Sequence, residues 1–355
     1  MHDLPPRGLL RRIVPIALVP VALLTTVQVG LALSPAAAAR LHLRTTDDVV
    51  TTVSNALAGI RLFTNPSTVV KREADAIRRD RPEDAELLDR IANQPTAHWL
   101  GGWARDLRGE VNHLVSFAGS SGAVPVLVAY NIPNRDCGGH SAGGDRDASA
   151  YGRWIREFAA GLQGHKAIVV LEPDALGHLD CLDHDAQESR LDMLRDAVGV
   201  LKDNGATVYV DGGNAHWLRP DVMAARLRRV SLDRADGFAL NVSNFVPTAE
   251  TIVYGERIAA LNGNKHFIID TSRNGVGGNG DWCNPRGRAL GAFPTTQTGN
   301  ALVDALLWVK APGQSDGQCN GGPSAGSFWP EYALELARNQ PQQFLQPMRL
   351  ASASR

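Results

Sequence analysis

The sequence carries almost no net charge. Its 36 Lys and Arg stand against 37 Asp and Glu, a formal balance of −1 over 355 residues, with no long basic run. A polyphosphate partner would need a basic footprint, so no nucleic acid is expected as a ligand. Cysteine is scarce too. Cys137, Cys181, Cys283 and Cys319 are the only four, and none forms a C-x-x-C pair. Their wide spacing and the lack of paired histidines argue against zinc, while an even count suits two disulfides. No internal repeat or Ser/Thr/Pro-rich linker is visible, so no second tethered module is expected. What remains is ordinary: 44% hydrophobic and 21% charged residues exclude wholesale disorder and can bury a sizeable core. The length fits one α/β barrel better than two average domains.

Arg7, Arg11 and Arg12 precede an uncharged stretch, residues 13–39, that ends in Ala36, Ala37, Ala38 and Ala39. This order reads as a secretory signal peptide, or as an uncleaved membrane anchor made imperfect by Pro15 and Pro20. Either way the chain beyond it lies outside the membrane, secreted or held on the outer face. Residues 40–58 read as a spacer, 59–339 as the main domain, and 340–355 as a mobile tail.

Seven short segments rich in β-branched or apolar residues recur, each ending in polar or glycine residues: 60–65, 124–131, 167–174, 207–213, 237–244, 266–275 and 305–313. Amphipathic helical stretches such as 151–162 and 187–204 lie between several of them. That alternation predicts a parallel sheet. Near-continuous apolar runs such as AIVVLEPD suit strands covered on both faces, so the sheet is expected to be closed or nearly closed. In such folds chemistry gathers at the carboxyl ends of strands. Those ends carry Asp136, Asp174, Asp211, Asn244, Asp270 and Asp316, the first and last just inside loops.

Three motifs are discounted. Gly275-Val-Gly277-Gly278-Asn-Gly280 fits a dinucleotide fingerprint but opens no helix, so it lacks the phosphate site. Gly322-Pro-Ser324-Ala-Gly326 fits a nucleophile elbow but follows no strand. Asn241-Val-Ser243 is formally a glycosylation sequon, yet it falls in a predicted strand.

Each acid has a bland role available when taken alone. Asp174 suits a helix cap, Asp136 an exposed ion pair with Arg135, and Asp316 a turn. Together they put several carboxylates on one rim, near Tyr130, Trp99, Trp217, Trp282 and Trp308. Aromatic rings stack on the apolar faces of pyranoses, and acids supply the proton that a departing glycosidic oxygen needs. For Trp308, inside ALLWVK, core packing competes with that role.

The strings VLVAYNIPNRDCGGHSAGG, VVLEPDALGHL, DGGNAHWL, GFALNVSNF, FIIDTSRNG, DWCNPRGRALG and LLWVKAPGQSDG occur in the order of glycoside hydrolase family 6, the inverting cellulases, which the chain resembles over residues 60–339. The resemblance implies a distorted, seven-stranded parallel β/α barrel, TIM-barrel-like, as a single catalytic domain acting on β-1,4-glucan. No cofactor is expected, no metal either since the rim does not clearly provide histidines, and the chain is expected to be a monomer. By the same resemblance Asp174 is the general acid, and Asp136 keeps its proton in place and assists the water. A neighbouring carboxylate such as Asp136 is expected to raise the acid's pKa. Tyr130 would crowd the sugar at the cleavage point, and Asp316 would be a base or sugar clamp. Trp99, Asp211, Trp217, Trp282 and Lys310 would line the subsites, together with Asn244 and Gln314. The implied disulfides are Cys137–Cys181 and Cys283–Cys319.

Three positions depart from the family pattern. Gln314 stands where a sugar-binding Glu is common, Asn214 replaces a frequent His, and Ala142 sits where relatives often have the Ser that holds water, with Ser141 adjacent. The segment between Cys283 and Cys319 is short and is expected to be filled by residues 288–293 and a helix–strand run over 299–313, leaving little chain to roof a cleft. Internal cutting is therefore expected over the processive alternative, and over a glucan-binding protein that has lost turnover.

Overall fold

The computed structural model describes residues 55–345. The apolar stretch 13–39, read as a signal or anchor, lies outside them. Among the described residues no helix is long and apolar enough to cross a membrane.

Seven parallel strands follow one another in chain order across a single sheet: β1 (His98–Leu100), β2 (Val126–Ala129), β3 (Ile168–Leu171), β4 (Thr207–Asp211), β5 (Gly237–Leu240), β6 (His266–Asp270) and β7 (Val303–Leu307). Eight α-helices accompany them among the described residues: α1 (Val69–Ile77), α2 (Pro82–Ala92), α3 (Leu107–Ser120), α4 (Ala148–Leu162), α5 (His184–Asp203), α6 (Pro220–Arg228), α7 (Thr248–Ala260) and α8 (Pro330–Arg338). The sheet curls until Ala97 N–H donates to Trp308 O at 3.0 Å, beside a parallel Thr96–Trp308 bridge. The expected distorted seven-stranded barrel is thus present.

Strand side chains alternate between two buried layers. Leu127, Ala129, Val169, Leu171, Val208, Val210, Phe238 and Phe267 pack outward against the helices. Val126, Val128, Ile168, Val170, Tyr209, Ala239, Ile268 and Leu307 fill the interior. Two buried faces explain why the strands read as unbroken apolar runs. Leu57 plugs the interior layer, and Asn55 donates to Asp304 O at 3.0 Å. The packed body therefore begins inside the stretch read as spacer. It also continues past Asn339, for Gln340 is buried and its amide donates to Gly291 O at 3.0 Å.

The strand count holds while one member changes. Residues 60–65 form only a single bridge, Leu62 to Val124, because the Asn65-Pro66 break ends the pairing. The true first strand, His98–Leu100, is three residues long and too short to show a pattern. The last strand starts earlier than expected, at Val303, and residues 299–302 form a turn rather than a helix. Asn241 lies beyond the end of β5, with φ +65°, and is fully buried; its amide donates to Val246 O and Asp270 O. The sequon is therefore a buried turn, closed to glycosylation in the folded chain.

Candidate active site

Strand ends deliver the acids. Strand β3 stops at Leu171, and Glu172-Pro173-Asp174 turns sharply, with φ of +47° at Glu172 and +69° at Asp174. Asp136, after β2, also has a positive φ, +58°. Non-glycine residues in this region cost of order 1–3 kcal/mol each and persist only where their surroundings enforce them. Gly144, at φ +93°, closes the Asp136 loop against Ile132 O, where a Cβ would collide with the backbone.

Glu172 is a main enforcer, and the sequence reading assigned it no role. It is buried, and its carboxylate accepts Asn131 N–H at 3.0 Å and Ile132 N–H at 3.1 Å, the first residues of the Asp136 loop. Burial raises its pKa to about 7 against the pull of those amides. Arg190 of α5, also buried, donates to Pro133 O at 2.8 Å, Asn134 O at 2.9 Å and Ala175 O at 3.3 Å. The Cys137–Cys181 disulfide joins the same two loops, and Cys283–Cys319 joins the segments after β6 and β7, both as the resemblance implied.

The two acids differ electrostatically. Asp174 is half-buried and its carboxyl is raised to about 6, first by burial and then by Asp136 and Asp316, against His178 and Lys310. Burial, more than the neighbouring carboxylate expected from the sequence, is the larger cause. Partial burial also pushes Asp136 up, but His178 and the Ser141 amide, 2.7 Å from Oδ2, carry it below the ordinary value. Tyr130 is buried, which with nearby Asp174 lifts its phenol far above the ordinary range and keeps it protonated. The Arg135 guanidinium lies 4.4 Å from the centre of the Tyr130 ring.

Asp316 is a locked carboxylate. It accepts Arg273 at 2.8 Å and Asn284 N–H at 3.0 Å, with Lys310 Nζ at 3.3 Å. Burial works to raise it, yet the two cations hold it below the ordinary range. Arg273 is fully buried over the Phe245 ring at 4.3 Å and was not singled out from the sequence.

The expected subsite residues divide. Trp99 is half-buried, donates to Val309 O at 2.8 Å and meets Tyr130 edge-on at 5.1 Å. Trp217 lies over Gly177, edge-on to His178 at 4.6 Å, and Trp282 is 57% exposed beside His140. Trp103, unremarked in the sequence, is 55% exposed beside Arg135 at 5.4 Å. Asn244 is half-buried and caps Phe245 N–H. Asp211 requires correction: at 1% exposure it lines no subsite, and its Oδ1 accepts Asp174 N–H at 3.0 Å and Gly213 N–H at 3.1 Å. Trp308 is core, donating to Ala292 O. Gln314 borders a cavity of about 260 Å³, with Phe63, Thr96, His98 and Phe328, that contains none of the carboxylates. Asn214 is buried and accepts His216 N–H, and Ala142 presents no side-chain oxygen. Among the described residues, the grouping suited to a metal is His140, Cys283 and Cys319, whose two sulfurs are joined as a disulfide.

The family described as glycosyl hydrolases family 6 matches residues 57–340. Endoglucanase A of Cellulomonas fimi is 50% identical over 259 residues, 72% of this chain and 57% of that enzyme, so the match spans little more than half of the relative. Endoglucanase 1 of Streptomyces halstedii is 44% identical over 256 residues, 69% of this chain and 79% of that one. The solved endoglucanase Cel6 from Mycobacterium tuberculosis, in complex with methyl-cellobiosyl-4-deoxy-4-thio-β-D-cellobioside, aligns with a TM-score of 0.77 and 44% identity over 81% of this chain and 99% of that chain.

Proposed function

Because the chain belongs to glycosyl hydrolases family 6, we propose that it hydrolyses internal β-1,4-glucosidic bonds of cellulose or a related glucan with inversion at the anomeric carbon. The observation that carries this reading is the opposed pair: Asp174, half-buried and held at about 6, near an ionised Asp136. Asp174 protonates the departing glycosidic oxygen. Asp136, on the neighbouring loop, steadies that proton and assists the attacking water; Ser141 is tied to it through a backbone amide. Tyr130, neutral and anchored under Arg135, presses on the sugar at the cleavage point. Asp316, already neutralised by Arg273 and Lys310, is a weak proton acceptor and serves to fix Lys310. Trp99, Trp217 and Trp282 offer indole faces to the glucan.

Internal attack is favoured by chain economy. The disulfide-bounded stretch, its cysteines 36 positions apart, contains buried Ala289 and Leu290, an antiparallel Thr295–Leu306 bridge and β7 itself. Little remains to build a roof, although His140 does touch Gly317 between the Asp136 and Asp316 loops. The two disulfides suit an oxidising compartment, so the enzyme works outside the cytoplasm, with residues 1–39 as a cleaved signal or retained anchor. With soluble carboxymethylcellulose, viscosity should collapse well before reducing ends accumulate. Slow viscosity loss with nearly pure cellobiose would favour the processive alternative, and no new reducing ends would favour a non-catalytic glucan-binding protein.

A further inference from the structure

His178 is tied by its backbone to Asp174 and by its side chain to Asp136, and has no part in the scheme above. Its backbone N–H donates to Asp174 O at 2.8 Å, so the imidazole is carried by the turn that begins at the acid. Its Nε2 lies 3.5 Å from Asp136 Oδ1, while the other oxygen of Asp136 takes the Ser141 amide. Asp136 is therefore gripped from two segments, one belonging to its own loop and one to the loop of the acid. The spacing has little freedom. Cys137 follows Asp136 directly, its sulfur is 3.4 Å from His178 O, and its disulfide partner Cys181 closes the same turn.

We propose that His178 is a positioning residue: its imidazolium holds the Asp136 carboxylate in place against Asp174 and adds positive charge on the Asp136 side of the junction. The proposal rests on the reading of Asp174 and Asp136 as acid and partner. The side chains of His178 and Asp136 are 30% and 15% exposed, enough shelter for the contact to matter. On its other side His178 meets the edge of Trp217 at 4.6 Å. A sugar ring resting on Trp217 would exclude water from that edge and strengthen the pair at the moment of turnover. Other charges nearby are accounted for. His140 also bears on Asp136, Lys310 and Asp316 bear on Asp174, and Asp180 is engaged by Arg226 of α6 at 2.5 Å.

His178→Asn removes the charge and keeps a polar side chain of similar reach; His178→Lys restores a charge. Two readings are taken on wild type and both variants: the Asp136 carboxyl titration by carbon-13 nuclear magnetic resonance, and kcat and KM against pH on a soluble glucan. The Asp136 midpoint should rise by about half to one pH unit in His178→Asn and return toward wild type in His178→Lys. The acid limb of kcat should move with it, with KM little changed. An Asp136 midpoint unchanged in both variants overturns the proposal, as does a uniform fall in kcat at every pH. If neither variant folds, Asp136→Asn read from the His178 ring decides: its midpoint must fall when the carboxylate is removed, and a midpoint that stays put overturns the pairing. A wild-type chain that cuts no glucan defeats the functional reading alone, because the carboxyl titration still judges His178.

Discussion

Asp174 and Asp136 lie on adjacent loops yet hold their protons with opposite tenacity, and the cause is where each carboxyl sits. Asp174 gains no charged hydrogen-bond donor, so burial governs it; Asp136 meets His178 and an amide. Asp174→Asn should lower kcat on unactivated glucans by roughly 10²–10⁴ while preserving binding, and should cost less on substrates with good leaving groups. The same change bears on stability. A carboxyl at about 6 in the fold, above its ordinary 3.8, contributes stability that is complete below 3.8 and is lost as pH rises through about 6. Above that range the charged acid is a burden. Asp174→Asn should therefore be the more stable protein at pH 8, by about 1–2 kcal/mol in urea unfolding, with the advantage gone below pH 4. Equal stability at both pH values would show that the carboxyl is not strained. Activity of the native chain should likewise decline as pH rises past about 6, when Asp174 gives up its proton. Asp174 could be picked out because it follows an apolar strand closely, whereas the depth of Asp211 could not be read, since sequence places a residue near a strand end without telling how deep it lies.

At the scale of elements, the two loops after β2 and β3 behave as one piece. Glu172, Arg190 and the Cys137–Cys181 bridge each cross between them, so the distorted φ values at Asp136 and Asp174 are held from three directions. Arg190→Ala strips donors from two buried carbonyls, Ala175 O and Pro133 O, and from the part-buried Asn134 O, and should cost about 3–5 kcal/mol, read as a shift in the denaturation midpoint, with loss of activity. A loss under 1 kcal/mol would mean that the loops hold without it. Reducing both disulfides should remove roughly 2–5 kcal/mol per bridge. None of these cross-links had a local signal. Glu172 looked like part of an apolar strand, Arg190 like one more charge on an amphipathic helix, and Arg273 like part of the polar end of the predicted strand over 266–275; their partners are far away in sequence. The disulfide pairing came from family resemblance, and its geometry follows from which loops the barrel sets side by side.

For the whole molecule, strand order explains what the sequence could tell. Each of β2 to β6 is buried on both faces, so apolar runs marked them, and an all-parallel sheet in chain order sends every loop after a strand to one rim. Listing strand ends thus picked out Asp136, Asp174 and Asp316, while Asp270, 1% exposed and accepting the Ser243, Ser272 and Lys310 amides, lies as deep as Asp211. Burial depth, and with it the separation of Trp308 and Asp211 from the indoles that face solvent, became visible only in three dimensions. Family 6 places its carboxylates on opposite faces of the sugar with water between one of them and the ring, a spacing of about 6.5–9.5 Å for inverting pairs. The most direct test is the proton nuclear magnetic resonance spectrum of cellohexaose in the first minutes of digestion. The α-anomer of each new reducing end should appear first, with cellobiose, cellotriose and cellotetraose together, and the β-anomer should grow only by mutarotation. β product appearing first would contradict the account.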